Sequence, residues 1–339
     1  MINQKKAIHI TLVETPDAQV SPLSGLYETF NSFGLLAKIE PGVPEKPFEV
    51  DILVPDREEV NHPVQSWKRS RSSEIEHTDI AIIPLMAVKD PGWETGRYPE
   101  IVEWLCRMYK NGAILCSACT GVLLLAETGL LHGMEATIHW AFADTFKNNF
   151  PDVKLRTSEV LIAAGKNREF VMTGGVMSWH DLALYLISRY VGPTAALSMS
   201  RLLMLHWHSK GQAPYISFNP GTDHGDALIV NLQKWLENNF RNENPVEAMT
   251  DQSGLTRRSL GRRFRRATKL SPIEYIQNLR IAEARKRLER TSEPVEEISF
   301  KVGYYNTAFF RRIFKRTTRL SPAEYRKKFQ PGKFEPMKK

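Results

Sequence analysis

Residues 113–131, AILCSACTGVLLLAETGLL, place a short apolar run, a tight turn and an apolar helical pattern in succession. This order is the repeating unit of a parallel sheet, in which the turn lies where the strand ends and the helix begins. Open α/β sheets have their ligand sites at that edge. We therefore expect Cys119 at the turn, where a helix N-terminus lowers the pKa of a thiol, and Cys116 buried and inert in the strand.

The first 210 residues repeat this alternation. Apolar runs that predict strands cover 7–13, 48–55, 79–84 and 113–116, and a hairpin with its turn at 165–168 follows them. Helical patterns cover 23–33, 98–112, 120–133, 176–191 and 194–208. Strands that alternate with helices predict an α/β domain whose parallel sheet is covered on both faces.

The overall composition favours two globular domains. A chain of 339 residues is too long for one ordinary core, and its apolar fraction of 42 % and charged fraction of 25 % are ordinary. No apolar run reaches the roughly 18–20 residues of a membrane helix. The N-terminal apolar stretch predicts a strand and no secretory signal. Three cysteines make no disulfide framework, which favours a reducing cytoplasm.

The net charge of +8 is unevenly distributed along the chain. Residues 241–339 hold 25 Lys and Arg against 11 Asp and Glu, a net charge of +14, whereas residues 1–240 have a net charge of −6. A basic third on an acidic body favours an anionic polymer as the partner of that third. Charge alone leaves open the alternative of a solvated basic surface without a partner.

The basic third contains an internal repeat. FRRATKLSPIEY at 264–275 returns as FKRTTRLSPAEY at 314–325, with eight of twelve positions identical and no gap. Since the apolar patterns in 227–330 have helical spacing, the repeat predicts a duplicated helical module. In each copy LSP starts a helix, with Ser as its cap and Pro at its first position.

Each copy has the residue order of a helix-turn-helix motif. A short helix precedes a Gly-containing turn, SGLT at 253–256 or VGYYN at 302–306, and Thr256 or Asn306 then caps a second helix. Helix 272–289 joins the two copies. Apolar residues four apart face inward, so the opposite face of each second helix can enter a major groove. That face carries Arg257, Arg258, Arg262 and Arg265 in the first copy and Thr307, Ala308, Arg311, Arg312 and Lys315 in the second.

Residues 228–329 resemble the DNA-binding domain of the AraC/XylS family of bacterial transcription regulators, and VGYYNTAFFRRIFKRTTRLSPAEYRKKF (302–329) matches that family's signature. The resemblance implies sequence-specific binding of two successive major-groove segments of double-stranded promoter DNA. Gly261 departs from the pattern because it offers no side chain on the exposed face. Matched position by position, the implied base-facing residues are Arg257, Arg258, Arg262, Thr307, Ala308, Arg311 and Arg312, each of which could instead touch only phosphate.

Residues 7–195 resemble the DJ-1/PfpI superfamily, part of the class I glutamine amidotransferase-like group, above all over 113–140. The resemblance implies a flavodoxin-like α/β fold with Cys119 at a strained strand-to-helix elbow. It also implies that His139 is the histidine that approaches this cysteine. Together with the AraC-type region, the combination resembles that of GlxA-type regulators.

Two departures from the DJ-1/PfpI pattern argue against efficient hydrolysis. Thr120 stands where PfpI-type peptidases have a histidine, and Pro22 stands near the place where DJ-1-like proteins have an acidic residue that holds the thiolate. Asp17 and Glu28 are nearby, but neither falls on the motif. We therefore expect no catalytic residue, with Cys119, Thr120 and His139 as vestigial or ligand-pocket residues.

Two further interpretations of the cysteine pair are weaker. In a CxxC redox motif both thiols lie near the start of a helix, whereas Cys116 belongs to the predicted strand. A zinc site needs four ligands, and only Cys106 remains as a third thiol. His206 and His208 would point apart on a helix. We therefore expect no disulfide switch, no metal and no cofactor.

His180 and Asp181 have two possible roles. They either line the pocket at the elbow or form the first turn of a helix, with Asp181 close to its N-terminus.

The predicted organisation has four parts. Residues 1–210 form a ligand-sensing and dimerisation domain, 211–226 a linker, 227–330 a DNA-binding domain with two helix-turn-helix motifs, and 331–339 a basic tail. We expect the protein to be a cytoplasmic transcription regulator that forms a homodimer. We expect a small-molecule effector to bind near Cys119. We expect no membrane association, and RNA polymerase is a candidate partner. The alternative is a Cys-dependent amidase or hydratase-like enzyme with an autoregulatory DNA-binding tail.

Overall fold

The computed structural model describes residues 6–56, 67, 69–88 and 92–330. The chain divides into two compact units, one ending at Gln212 and the other beginning at Ala213. The segment predicted as a linker is shared between them. Gln212 is buried in the first unit, whereas the carbonyl groups of Ala213 and Ile216 accept hydrogen bonds from Arg285 in the second. The predicted basic tail at 331–339 lies outside the described residues.

Six of the nine described strands of the first unit lie where the apolar runs and the hairpin predict them, whereas the short strands β3, β6 and β7 were not predicted. Seven form one sheet in the order β3-β2-β1-β4-β5-β9-β8, parallel except for the antiparallel pair of β8 with β9, and β6 pairs with β7 separately. Their bounds are β1 (Ile8–Val13), β2 (Phe48–Val54), β3 (Arg69–Arg71), β4 (Ile80–Ile83), β5 (Ile114–Ala118), β6 (Glu135–Ala136), β7 (Lys154–Leu155), β8 (Leu161–Ala164) and β9 (Phe170–Thr173).

The helices of the first unit cover both faces of this sheet, which confirms the α/β architecture. One apolar cluster packs Leu26 and Leu182 against one face, and a separate cluster packs Trp104 and Leu124 against the other. The helices are α1 (Val20–Asn31), α2 (Phe33–Ile39), α3 (Pro99–Lys110), α4 (Gly121–Glu127), α5 (Ala143–Asn149), α6 (Trp179–Tyr190) and α7 (Pro193–Leu202).

Two of these helices are shorter than their patterns predict. Helix α4 ends at Glu127 because the Thr128 hydroxyl donates to the Leu125 carbonyl and Gly129 turns the chain with φ 73°. Helix α7 ends at Leu202, six residues before the predicted end at 208, and Met204 then has a left-handed φ of 54°. His206 and His208 therefore lie in an irregular segment outside any helix, and the expectation that they point apart on a helix is wrong.

The described part of the second unit is helical, as predicted. Its helices are α8 (Ala227–Asn239), α9 (Pro245–Ser253), α10 (Arg257–Thr268), α11 (Pro272–Arg290), α12 (Val295–Lys301), α13 (Thr307–Thr318) and α14 (Pro322–Phe329). Among the described residues, no helix of either unit is long and apolar enough to span a membrane.

The sequence repeat becomes a structural repeat. Ser271 and Ser321 cap α11 and α14 with reciprocal capping boxes to Glu274 and Glu324. The repeated aromatic residues make the same edge-to-face contact: Phe264 with Tyr275 at 5.2 Å and Phe314 with Tyr325 at 5.4 Å between ring centroids. Each module thus has its own small core.

Helix α11 belongs to both cores. Its first half packs Tyr275 and Ile276 into the core of α8, α9 and α10, whereas its second half packs Ala284 and Leu288 into the core of α12, α13 and α14. A single continuous helix therefore connects the two modules.

A substitution at Gly121 tests the tight start of α4. A Cβ there would lie 2.4 Å from the Pro84 carbonyl oxygen and 2.6 Å from that of Ile83, so Gly121→Ala forces backbone apart. We expect a loss of unfolding free energy of about 1–3 kcal/mol or more. The control is Gly34→Ala in α2 of the same unit, where a Cβ meets open space and stability should rise by roughly 0.5–1 kcal/mol. Denaturant unfolding followed by circular dichroism measures both, and equal effects would contradict the close approach.

Candidate DNA-binding surface and cysteine elbow

The second helix of each motif, α10 or α13, is fixed by a cap and by a buried inner face. The Thr256 hydroxyl accepts from the Ser259 N–H, and the Asn306 side chain accepts from the Phe309 N–H, as the sequence predicts. Leu260 and Phe264 are completely buried, as are Phe310 and Phe314 in the second copy. The orientation of both helices is therefore set by packing, which turns their other side to solvent.

The predicted residues of α10 share one exposed surface. Arg257, Arg258, Arg262 and Arg265 are all exposed and line a shallow groove together with Gly261, Arg266 and Ser271. Arg266 was not among the residues predicted for this face. Its spacing of four from Arg262 is the signal that could have found it, because residues four apart share a helix face.

Arg263 has a different role from its neighbours on α10. Its Nε and one terminal nitrogen lie 2.8 and 3.0 Å from the carboxylate oxygens of Asp226, which also caps α8. The hydrogen bonds from Arg263 hold the pKa of Asp226 below its usual range. This arginine therefore joins α10 to α8, whereas the neighbouring Arg262 faces solvent.

The predicted residues of α13 also lie on one side of their helix. Ala308, Arg311, Arg312 and Lys315 are exposed, and Thr307 is half-buried at the first position. The Arg312 guanidinium lies 5.0 Å from the centroid of the Phe309 ring, a cation–π contact that extends it along the helix surface. Arg311 instead forms an ion pair with Glu296 of α12, from which it must separate before it contacts another anion.

Arg316 is a second exposed basic residue that was not predicted from the sequence. It is exposed in the last turn of α13, and one of its terminal nitrogens donates to the Gln277 side chain at 3.1 Å. Because Gln277 belongs to α11, only the folded chain reveals this contact between the two helices.

The cysteine elbow lies at the carboxyl end of β5. Cys119 has a left-handed φ of 54°, a conformation that costs a non-glycine residue about 1–3 kcal/mol. Its N–H donates to the Thr173 carbonyl of β9 at 2.7 Å, and the Thr120 hydroxyl accepts from the Met86 N–H at 3.0 Å. Neighbouring segments on both sides thus hold the elbow in its strained form.

The expected lowering of the thiol pKa by the helix N-terminus is wrong. Cys119 is completely buried, and burial raises its pKa to about 12, although N–H groups of Thr120 and His139 and the Thr120 hydroxyl oppose the shift. Desolvation prevails because the enclosed side chain would lose the water that stabilises a thiolate. Cys116 is buried in β5 as predicted, and burial raises its pKa further.

His139 reaches the elbow through its main chain. Its N–H is a hydrogen-bond donor to the Cys119 sulfur, while its Nδ1 accepts from the Ala141 N–H at 3.2 Å. The imidazole stacks on Trp140 with 5.2 Å between ring centroids and contacts the edge of Phe142. Burial lowers the pKa of His139, so its ring is neutral at pH 7.

The two acidic residues near the motif are engaged elsewhere or exposed. The Asp17 carboxylate accepts from the Tyr98 hydroxyl at 2.7 Å and pairs with Arg97 at 2.5 Å. Glu28 is exposed on α1, and Pro22 is buried in its first turn. Neither carboxylate is among the groups that perturb the Cys119 thiol.

Comparisons with known proteins agree with this architecture. Residues 249–328 match the family model described as a helix-turn-helix domain. The transcriptional regulator CdhR of Pseudomonas aeruginosa is 29 % identical over 230 residues, covering 67 % of this chain and 67 % of that protein. The transcriptional regulator GlxA of Rhizobium meliloti is 26 % identical over 227 residues, covering 66 % of this chain and 68 % of that protein. Among solved structures, DJ-1beta of Drosophila melanogaster is 12 % identical, with a TM-score of 0.46 over 59 % of this chain and all of that one.

Residues 249–328 of the chain therefore match a helix-turn-helix domain, and over about two thirds of its length the chain is similar to proteins named as transcriptional regulators.

The buried thiols predict a specific pattern of reactivity. At pH 8 a pKa of about 12 leaves only about one Cys119 thiol in ten thousand ionised, and only the thiolate is nucleophilic. We expect a chromogenic disulfide reagent to modify only the half-buried Cys106 in the native chain and all three cysteines after denaturation. In the Cys106→Ser variant the native signal should vanish. Rapid native labelling of Cys119 in that variant would contradict the burial of the elbow.

Proposed function

We propose that the two second helices bind two successive major-groove segments of double-stranded promoter DNA. The observation that carries this proposal is the repeated arrangement of α10 and α13, each with a buried apolar side and an exposed basic side. Helix α11 between them has 19 residues, hence a length of about 28 Å, comparable to the roughly 34 Å of one turn of DNA.

Within this proposal the exposed side chains divide into two kinds. Arg262 on α10 and Arg312 on α13 lie in the middle of their helices, where a guanidinium can bind a guanine edge through two hydrogen bonds. The surrounding exposed residues contact bases or phosphates; they are Arg257, Arg258, Arg265, Thr307, Ala308, Arg311 and Lys315. Separating Arg311 from the exposed Glu296 costs less than about 1 kcal/mol, so the ion pair does not prevent DNA contact.

Substitution of the two central arginines tests the proposal. After an operator is selected from random duplexes with the wild-type chain, Arg262→Ala and Arg312→Ala should each weaken operator binding by about 1–3 kcal/mol. Binding to unrelated DNA should change much less, because only the operator presents the matching base edge. Titrations by fluorescence anisotropy measure both.

The matched control for these variants is Arg290→Ala. Arg290 is exposed at the end of α11, outside both second helices, and its removal changes the net charge by the same amount. We expect operator affinity within about twofold of the wild type, as for an isolated surface charge. Wild-type affinity and footprint in both the Arg262 and the Arg312 variants would refute the assignment of the recognition helices.

We further propose that a small metabolite controls the regulator from the cysteine elbow. Supporting observations are the strained Cys119 at the carboxyl end of the sheet and the half-buried aromatic side chains of His139, Trp140 and Phe142 beside it. Ligands of open α/β sheets bind at this edge. The effector would bias the arrangement of domains or of a homodimer and so change promoter occupancy or contact with RNA polymerase. Because its partner is the chromosome, we place the protein in the cytoplasm.

The effector site has its own test. A metabolite that changes operator affinity of the wild-type chain should have a weaker effect on His139→Ala, because the imidazole and its stacked neighbours form the accessible part of the elbow. Operator binding without the metabolite should be unchanged. An unaltered metabolite response in this variant would place the effector site elsewhere.

The enzymatic alternative has less support in the geometry. A nucleophilic cysteine needs access to substrate and a lowered pKa, whereas Cys119 is completely buried with a raised pKa. The curated relatives described above are named as regulators. We therefore propose that the elbow serves binding and does not catalyse a reaction.

A further inference from the structure

Three side chains that commonly bind metals meet where α6 begins. His180 and Asp181 lie in the first turn of α6, and His208 lies in the irregular segment that follows α7. One potential ligand atom from each residue lies within 4.8 Å of the others. Asp181 is 2 % and His180 8 % exposed, whereas a quarter of the His208 side chain is open to solvent. The cluster is thus enclosed on the side of α6 and accessible from the side of His208.

The Asp181 carboxylate lies between the two imidazoles. Its Oδ2 is 2.6 Å from His208 Nδ1 and 3.7 Å from His180 Nε2, and its Oδ1 accepts from the His208 N–H at 2.8 Å. His180 Nε2 also lies 3.1 Å from the His206 carbonyl oxygen. The imidazole nitrogens and the carboxylate oxygens can be metal ligands, and the main-chain contacts hold the 206–208 segment against α6.

The separations fit a small tetrahedral site. Zinc binds nitrogen and carboxylate oxygen at about 2.0–2.1 Å, so neighbouring ligands in a tetrahedron are about 3.3 Å apart. The two Asp181–histidine distances, 2.6 and 3.7 Å, lie on either side of this value. A neutral imidazole can move its proton to the other ring nitrogen, which converts a hydrogen-bond donor into a ligand without a change in charge.

We propose that His180, Asp181 and His208 bind a divalent transition-metal ion of the zinc class, with the fourth position left for water. Two histidines and one carboxylate are a ligand set that zinc uses when one position stays open. The ion would fasten the 206–208 segment to α6. Since the second unit begins at Ala213, the ion would fix the chain a few residues before it enters the DNA-binding unit.

Metal titration of the full-length chain tests this site. After treatment with a chelator, isothermal titration with zinc chloride should show one ion bound per chain, and cobalt chloride should produce the intense visible absorption of a tetrahedral nitrogen and oxygen site. His208→Gln and Asp181→Asn should each weaken zinc binding by more than about tenfold. The control is His206→Gln, which keeps the main-chain carbonyl and should bind zinc like the wild type.

Several results would overturn the site. The first is that the wild-type chain binds no zinc, or binds it without a fixed stoichiometry. The second is that bound cobalt absorbs like the free aqueous ion. The third is that the His208→Gln variant binds zinc as tightly as the wild type. The last result would mean that the three residues form only a hydrogen-bonded network. If circular dichroism shows that the Asp181 or His208 variants fail to fold, the cobalt spectrum of the wild type and the affinity of His180→Gln decide the question.

Discussion

Burial of one side of each second helix is the constraint on which the DNA-binding surface depends. Six of the twelve residues of α10 are arginines, and like charges four apart destabilise an isolated helix. Leu260 and Phe264 offset this repulsion, because burying such a side chain contributes about 1.5–3 kcal/mol. The same residues decide which arginines face solvent. Stability and the presentation of basic side chains therefore have one physical cause.

The second module meets the same constraint with different chemistry. Phe310 and Phe314 bury the inner side of α13, but its outer side is less basic and includes Thr307 and Ala308. Duplication has preserved the residues that cap and pack, as the shared Phe–Tyr contacts and capping boxes show. The exposed residues differ between the copies, so two modules of one design can contact different bases.

At the cysteine elbow two effects of folding oppose each other. The start of α4 supplies N–H groups that favour a thiolate, and burial removes the water that would solvate it. Burial prevails, so the thiol remains protonated although the elbow keeps its strained conformation. The sharp turn needs Gly121 at its exit because two carbonyl oxygens occupy the space of a Cβ. Geometry and reactivity are thus independent properties of this elbow.

Local sequence patterns determined much of the secondary structure and the repeat of this protein. Strand and helix alternation, the 50-residue repeat and the caps Thr256, Asn306, Ser271 and Ser321 depend on residues close in sequence. Most of the strands, the two helical modules and the helices α10 and α13 could therefore be predicted. The tertiary structure decided the rest. The pairing of Arg263 with Asp226, the raised pKa of Cys119 and the meeting of His208 with Asp181 each join residues distant in sequence or depend on burial. Such interactions leave no periodic signal because they arise only when separate elements pack together.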